Sequence, residues 1–136
     1  MPAVPAQDRV NDFVIKIATV NGTGSASANT LLMKAIFRSG IPVMGKNYFP
    51  SNIQGLPTWY EIRVSEAGWL GRRGGVDMLV AMNPQTWDDD VRELAPGGYL
   101  FYDNSKPMPR TKFRDDITVI GVPLTELCNA AYQDPR

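Results

Sequence analysis

An open, mostly parallel α/β sheet with flanking helices is the fold that this sequence predicts, on three observations. The run Phe13-Val14-Ile15-Lys16-Ile17-Ala18-Thr19-Val20 is apolar except at Lys16 and Thr19. Such a run suits a central strand buried on both faces. A glycine loop, Val20-Asn21-Gly22-Thr23-Gly24-Ser25-Ala26-Ser27-Ala28, then opens an amphipathic stretch that ends near Gly40. Beyond it, short strand-like and helix-like segments alternate, giving the order β-α-β-β-β-α-β-β-α. Crossovers between parallel strands make this a Rossmann-like architecture.

Each element has its own justification. The first helix is expected from about Ser25 to Ser39, with Ala28, Leu31, Leu32, Ala35 and Ile36 forming one apolar stripe toward the core. Arg38 suits the negative end of the helix dipole, and Gly40 is a stop signal. Ile41-Pro42-Val43-Met44 reads as a short second strand near an edge. A long loop, Gly45 to Pro57, follows; a loop of this kind inside a compact domain is usually functional. Thr58 to Glu66 alternates, with Tyr60, Ile62 and Val64 on one side and Trp59, Glu61, Arg63 and Ser65 on the other. It reads as a half-buried strand, antiparallel to its neighbours.

Gly68 to Gly75 is a turn region and Val76 to Met82 a buried strand. Asn83 caps a short helix over Pro84 to Leu94, with Pro84 in the first helical position. Pro96-Gly97-Gly98 reads as a turn before a strand at Tyr99 to Asp103. A polar excursion, Asn104 to Asp116, leads to a last strand at Ile117 to Val122. Thr125 caps a final helix. Residues 1–11, rich in Pro and Ala, are expected to be a flexible arm, and residues 12–136 one domain. Because the chain stops within or just after a helix, it is expected to be part of a longer polypeptide.

Composition narrows the chemistry. The 136 residues suit one domain with a sizeable core, and 14 basic residues balance 14 acidic ones. No basic field points to nucleic acid, and no polybasic strip or apolar run of roughly 20 residues points to a membrane. A cytoplasmic protein is expected. There is no histidine, and Cys128 is the single cysteine. The chain alone therefore lacks the usual general base and the usual ligands for zinc or iron–sulfur centres. Cys128 is expected to be a small buried hydrophobe.

The glycine loop is the leading candidate site. A strand–turn–helix junction aims backbone N–H groups and a helix N-terminus at an anion. Gly22, Thr23, Gly24 and Ser25 are its candidate binding residues. No acidic residue stands at the end of the second strand, which disfavours NAD; Lys46 leaves NADP open, through a 2′-phosphate. Lys46, Asn47, Ser51, Asn52 and Gln54 supply donors for carboxylates, phosphates and carbonyls. A structural turn with a serine cap, and a loop that serves a partner, stand beside these readings. Asp88-Asp89-Asp90 favours the dipole of its helix, and adjacent residues do not share a face that could hold a metal. Trp59, Trp69 and Trp87 are expected in packing.

The segments NGTGSASAN, GKNYFPSNIQGLPTWYEIRVSE, VDMLVAMNPQTW and PGGYLFYDNS resemble the gamma domain of 2-oxoacid:ferredoxin oxidoreductases over about residues 11–136. The likeness is to the branch in which this domain is fused ahead of an alpha domain, as in 2-oxoglutarate:ferredoxin oxidoreductase. The resemblance implies one part of an enzyme that converts a 2-oxoacid and coenzyme A to acyl-CoA and carbon dioxide and reduces ferredoxin. It implies that thiamine diphosphate, Mg and 4Fe–4S clusters are held elsewhere, in alpha domains of the same subunit and in a beta subunit. For this domain it implies packing over the active site and help in receiving coenzyme A. Gly22, Thr23, Gly24 and Ser25 match that role, with Lys46, Asn47, Ser51, Asn52 and Gln54 as substrate- or CoA-facing groups. A chain of this kind is expected to be inactive alone. A free-standing nucleotide- or NADP-binding module and a structural interaction domain are the alternatives.

Overall fold

The structure, a computed structural model, describes residues 11–20, 25–48, 56–68, 75–106 and 108–131. Its elements follow the expected order: β1 (Asp12–Val20), α1 (Ser25–Arg38), β2 (Val43–Tyr48), β3 (Pro57–Ser65), β4 (Val76–Ala81), α2 (Trp87–Arg92), β5 (Leu94–Asp103), β6 (Thr118–Val122) and α3 (Leu124–Ala131). Six strands form one sheet in the order β2-β3-β1-β4-β5-β6. β1, β4, β5 and β6 pair in parallel, while β3 runs antiparallel between β1 and β2. The expected arm falls almost wholly outside the described residues.

Two cores lie on opposite faces. Even-numbered residues of β1, Val14 and Ala18, join Leu79, Leu100, Trp87 and Val91 under α2. Odd-numbered Ile17 joins Tyr60, Ile62 and Val64, with Met33 and Ile36 of α1 packed against them. The period of two in the strands thus assigns one helix to each face. Trp87 is the hub of the first core. It meets Tyr102 and Phe113 edge-on, at ring-centre distances of 5.6 and 6.1 Å, and its indole N–H donates to the Lys112 carbonyl at 3.1 Å.

Several boundaries differ from the expectation, each for a physical reason. β2 runs on to Tyr48, so Gly45, Lys46 and Asn47 belong to a strand and not to a loop. Their backbones pair with Ile62, Glu61 and Tyr60 of β3, and this pairing overrides the weak strand preference of Gly, Lys and Asn. β5 starts at Leu94 and includes Pro96-Gly97-Gly98. The expected turn is an outward step within the strand, because Val76 pairs with Leu94 but Met78 pairs with Tyr99. A Cβ on Gly98 would lie 2.9 Å from the carbonyl oxygens of both Ala95 and Asp77, so only glycine fits there. Asn83 caps as expected, accepting from the Gln85 N–H at 3.0 Å, and Pro84–Thr86 forms a 3-10 turn that leads into α2.

Three further expectations are corrected. Of the stripe foreseen on α1 only Ile36 packs against the sheet: Leu31 is 69% and Leu32 41% exposed, and Ala28 and Ala35 are exposed. Asn29 and Met33 join Ile36 on the inner side. Thr125 is not the cap of α3, which starts one residue earlier. Asp103 caps it from the end of β5, accepting from the Thr125 hydroxyl at 2.5 Å and its N–H at 3.4 Å, while Ser105 accepts from the Glu126 N–H. Cys128 is exposed on α3, not buried.

Candidate functional site

In an open α/β sheet, ligands bind outside the carboxyl ends of the strands, where successive connections diverge. Here the connection from β1 leads toward β2 at one edge, and that from β4 leads toward β5 and the other edge. The divergence lies between β1 and β4, so the crevice opens beyond Val20 and Ala81.

Its floor is stitched by hydrogen bonds. The Met82 N–H donates to the Ala18 carbonyl at 2.9 Å, extending the β1–β4 pairing past the end of β4. The Asn83 side-chain amide donates to the Thr19 carbonyl at 3.3 Å, and Asn83 is 1% exposed. One amide thus caps the turn before α2 and ties together the two strand ends that frame the crevice. The sequence shows the capping role of Asn83 through Pro84; it carries no signal for the bond to β1.

Ser25 is the first residue of α1, so the helix N-terminus begins where the glycine loop requires it. Gly22, Thr23 and Gly24 lie outside the described residues, as do Ser51, Asn52 and Gln54. Lys46 and Asn47 are exposed on β2. Lys46 Nζ sits 5.1 Å from the centre of the Tyr48 ring, a cation–π contact within its own strand. Because β3 separates β2 from β1, the end of β2 is not beside the end of β1 as it is in a dinucleotide fold.

Behind the crevice, on the α2 side, lies a polar cluster. Lys16, 8% exposed, pairs with Glu93 at 2.6 Å and stands 5.6 Å from the Trp59 ring centre. The Trp59 indole N–H donates to Asp90 at 2.8 Å, and the Thr86 hydroxyl donates to the other oxygen of Asp90 at 2.5 Å. Burial raises the Asp90 carboxyl above the ordinary carboxylate range, against the lowering effect of these two donors. The cluster fixes α2 to β1 and β3 and so fixes Asn83 at the rim. Lys16, interrupting an apolar run, is its signal in the sequence. Nothing marked Asp90 out from Asp88 and Asp89, which pair at the surface with Lys112 and Arg92. Among the described residues no group of His, Cys, Asp and Glu could hold a metal ion.

The family model described as pyruvate ferredoxin/flavodoxin oxidoreductase matches residues 14–135. A curated relative, the alpha subunit of 2-oxoacid:ferredoxin oxidoreductase 2 from Aeropyrum pernix, is 29% identical over 92 residues, which are 68% of this chain and 14% of that protein. Three solved structures share the fold. A pyruvate oxidoreductase subunit from Thermotoga maritima has a TM-score of 0.73 at 21% identity, over 89% of this chain and 67% of its own. A 2-oxoglutarate:ferredoxin oxidoreductase from Magnetococcus marinus, with 2-oxoglutarate, coenzyme A and succinyl-CoA bound, has 0.77 at 22%, over 90% and 22%. A keto/oxoacid ferredoxin oxidoreductase gamma subunit from Geobacter sulfurreducens has 0.66 at 16%, over 88% and 66%. The stretch matched here is thus a small part of the curated relative.

Proposed function

The chain belongs to the pyruvate ferredoxin/flavodoxin oxidoreductase family, and from that premise we propose that it is the gamma domain of a 2-oxoacid:ferredoxin oxidoreductase acting on 2-oxoglutarate. The whole enzyme joins the 2-oxoacid to coenzyme A with loss of carbon dioxide and passes electrons to ferredoxin. The observation that carries this reading is the extent of the family match. It runs from β1 into the residues after α3, so the glycine loop, the β2–β3 connection and Asn83 all fall inside it.

In this reading the crevice between β1 and β4 receives a phosphate-bearing part of coenzyme A. Gly22, Thr23, Gly24 and Ser25 supply backbone donors and a helix N-terminus. Ser51, Asn52 and Gln54, in the sequence between β2 and β3, are proposed as further donors to coenzyme A. A chain with one cysteine and no histidine does not fit a 4Fe–4S cluster by itself. Thiamine diphosphate, Mg and the clusters belong to alpha domains and to a beta subunit, and they supply the decarboxylation and electron transfer when bound. No described helix is long and apolar enough to cross a membrane, and we place the assembly in the cytoplasm.

The test uses the intact enzyme, purified from its own host without oxygen. Gly24→Val, which crowds the loop, is expected to raise the KM for coenzyme A about tenfold with the assembly unchanged; that is about 1.4 kcal/mol of binding. An unchanged KM would make the loop structural. A preparation without thiamine or iron, and without 2-oxoacid oxidation, would overturn the enzyme reading itself.

A further inference from the structure

α1 carries two apolar stripes and the sheet uses one of them. Asn29, Met33 and Ile36 face the sheet. Ala28, Leu31, Leu32 and Ala35 form a second stripe at positions i, i+3, i+4 and i+7, roughly 120° further round a helix of 3.6 residues per turn. All four are exposed, Leu31 to 69%. Phe37, 66% exposed, lies on α1 away from this stripe, and Met44, Met82 and Leu127 are scattered over other parts of the chain. Single ones are ordinary on a protein surface; an ordered stripe is not.

We propose that this stripe is the docking surface for an amphipathic helix edged with carboxylates, carried by another part of the enzyme assembly. The proposal rests on the assembly reading above. Its shape fits a helix, because Ala28 and Ala35 are small and two turns apart, with the leucines projecting between them. Beside the stripe, Ser27, Thr30, Leu31 and Lys34 line an open depression of about 520 Å³.

Charge selects the occupant. α1 contains no acidic residue, and Lys34 and Arg38 border the stripe on one side. A second copy of the chain is a poor match. Antiparallel pairing of two α1 helices would bring Arg38 of one toward the positive N-terminal end of the other, which has no acid in its first turn. Parallel pairing would set Lys34 against Lys34. A different helix with Asp or Glu along its edge satisfies both cations. In the Aeropyrum and Magnetococcus proteins the matched stretch is 14% and 22% of the chain, so those relatives have ample further chain to carry such a helix.

The experiment places a photo-reactive benzoylphenylalanine at position 31 of the full gene product and maps its cross-links in the purified assembly. Cross-links to a helix outside this domain with carboxylates along its edge are expected. Cross-links to a second copy of this domain, to a partner segment lacking acids, or to nothing overturn the proposal. With the photo-reactive residue moved to position 28 of the same assembly, Leu31→Glu is expected to lower the cross-link to that helix at least tenfold and Leu31→Met to leave it intact; equal cross-linking of both also overturns it. Circular dichroism checks that each variant folds. Thiamine and iron content of the unmodified preparation tests the enzyme reading separately, so the two ideas fail by different measurements.

Discussion

The two helices that flank the sheet are held in opposite ways. α2 has six residues, yet Trp87, Asp90 and Val91 are all buried, and side-chain bonds from Trp59, Lys16 and Thr86 fix its position. α1 has fourteen residues and leaves Leu31 and Phe37 about two-thirds exposed. Length therefore does not measure how firmly a helix belongs to the domain. What matters is whether its apolar side chains and buried polar groups find partners within the chain. α2 is saturated, and it frames the rim of the crevice through Asn83. α1 is satisfied on one side and presents an ordered apolar surface on the other.

The largest test of this contrast is Trp87→Ala. It removes the ring that joins Tyr102 and Phe113 and leaves the Lys112 carbonyl without its indole donor. A loss of about 3–5 kcal/mol is expected in urea unfolding. A loss below about 1 kcal/mol would mean that α2 is not an integral part of the core.

Asp90→Asn gives a smaller effect with a distinctive pH signature. Burial raises the Asp90 carboxyl in the folded state. In the window between the ordinary carboxylate value and this raised one, the folded protein holds more protons than the unfolded chain. Asp90 therefore lowers stability as pH rises through that window. Asparagine can still accept from Trp59 and can donate to Thr86, so at neutral pH the variant is expected within about 1 kcal/mol of the parent or more stable. Its stability should also lack the decline across that window. Asp103 has the opposite sign. The Thr125 hydroxyl holds its carboxyl well below the usual range, so its contribution is present above the ordinary value and is lost as pH falls. Subtracting the Asn variant from the parent isolates the Asp90 part.

The order of elements was legible because each strand has its own apolar pattern and each break its Gly or Pro. The burial of α1 was not. A period of 3.6 shows that a stripe exists, and it does not show which surface covers it. On α1 the more conspicuous stripe, Ala28-Leu31-Leu32-Ala35, is the exposed one, and the sheet takes a side that includes a polar Asn29. The strand at Lys46 and Asn47 was missed for a related reason: it forms because β3 offers a partner, which local sequence does not display. At the candidate site, the helix start at Ser25 and the cap at Asn83 were readable from local chemistry. The bond from Asn83 to Thr19 spans 64 positions, and the contact of Trp59 with Asp90 spans 31; neither leaves a local trace.

The smallest expected effect is also the sharpest probe of the contrast. Leu31→Ala in the chain by itself removes methyl groups that already face water, and alanine is at least as good a helix former as leucine. The change in stability should be less than about 0.5 kcal/mol. Buried leucines behave differently: the same substitution at Leu79, which is 0% exposed, is expected to cost about 2–5 kcal/mol. If Leu31→Ala cost as much as Leu79→Ala, the outer side of α1 would already be covered within the chain and no partner would be needed to explain it. If it costs almost nothing in the chain but weakens the assembled enzyme, the apolar stripe serves contacts that exist only in the assembly.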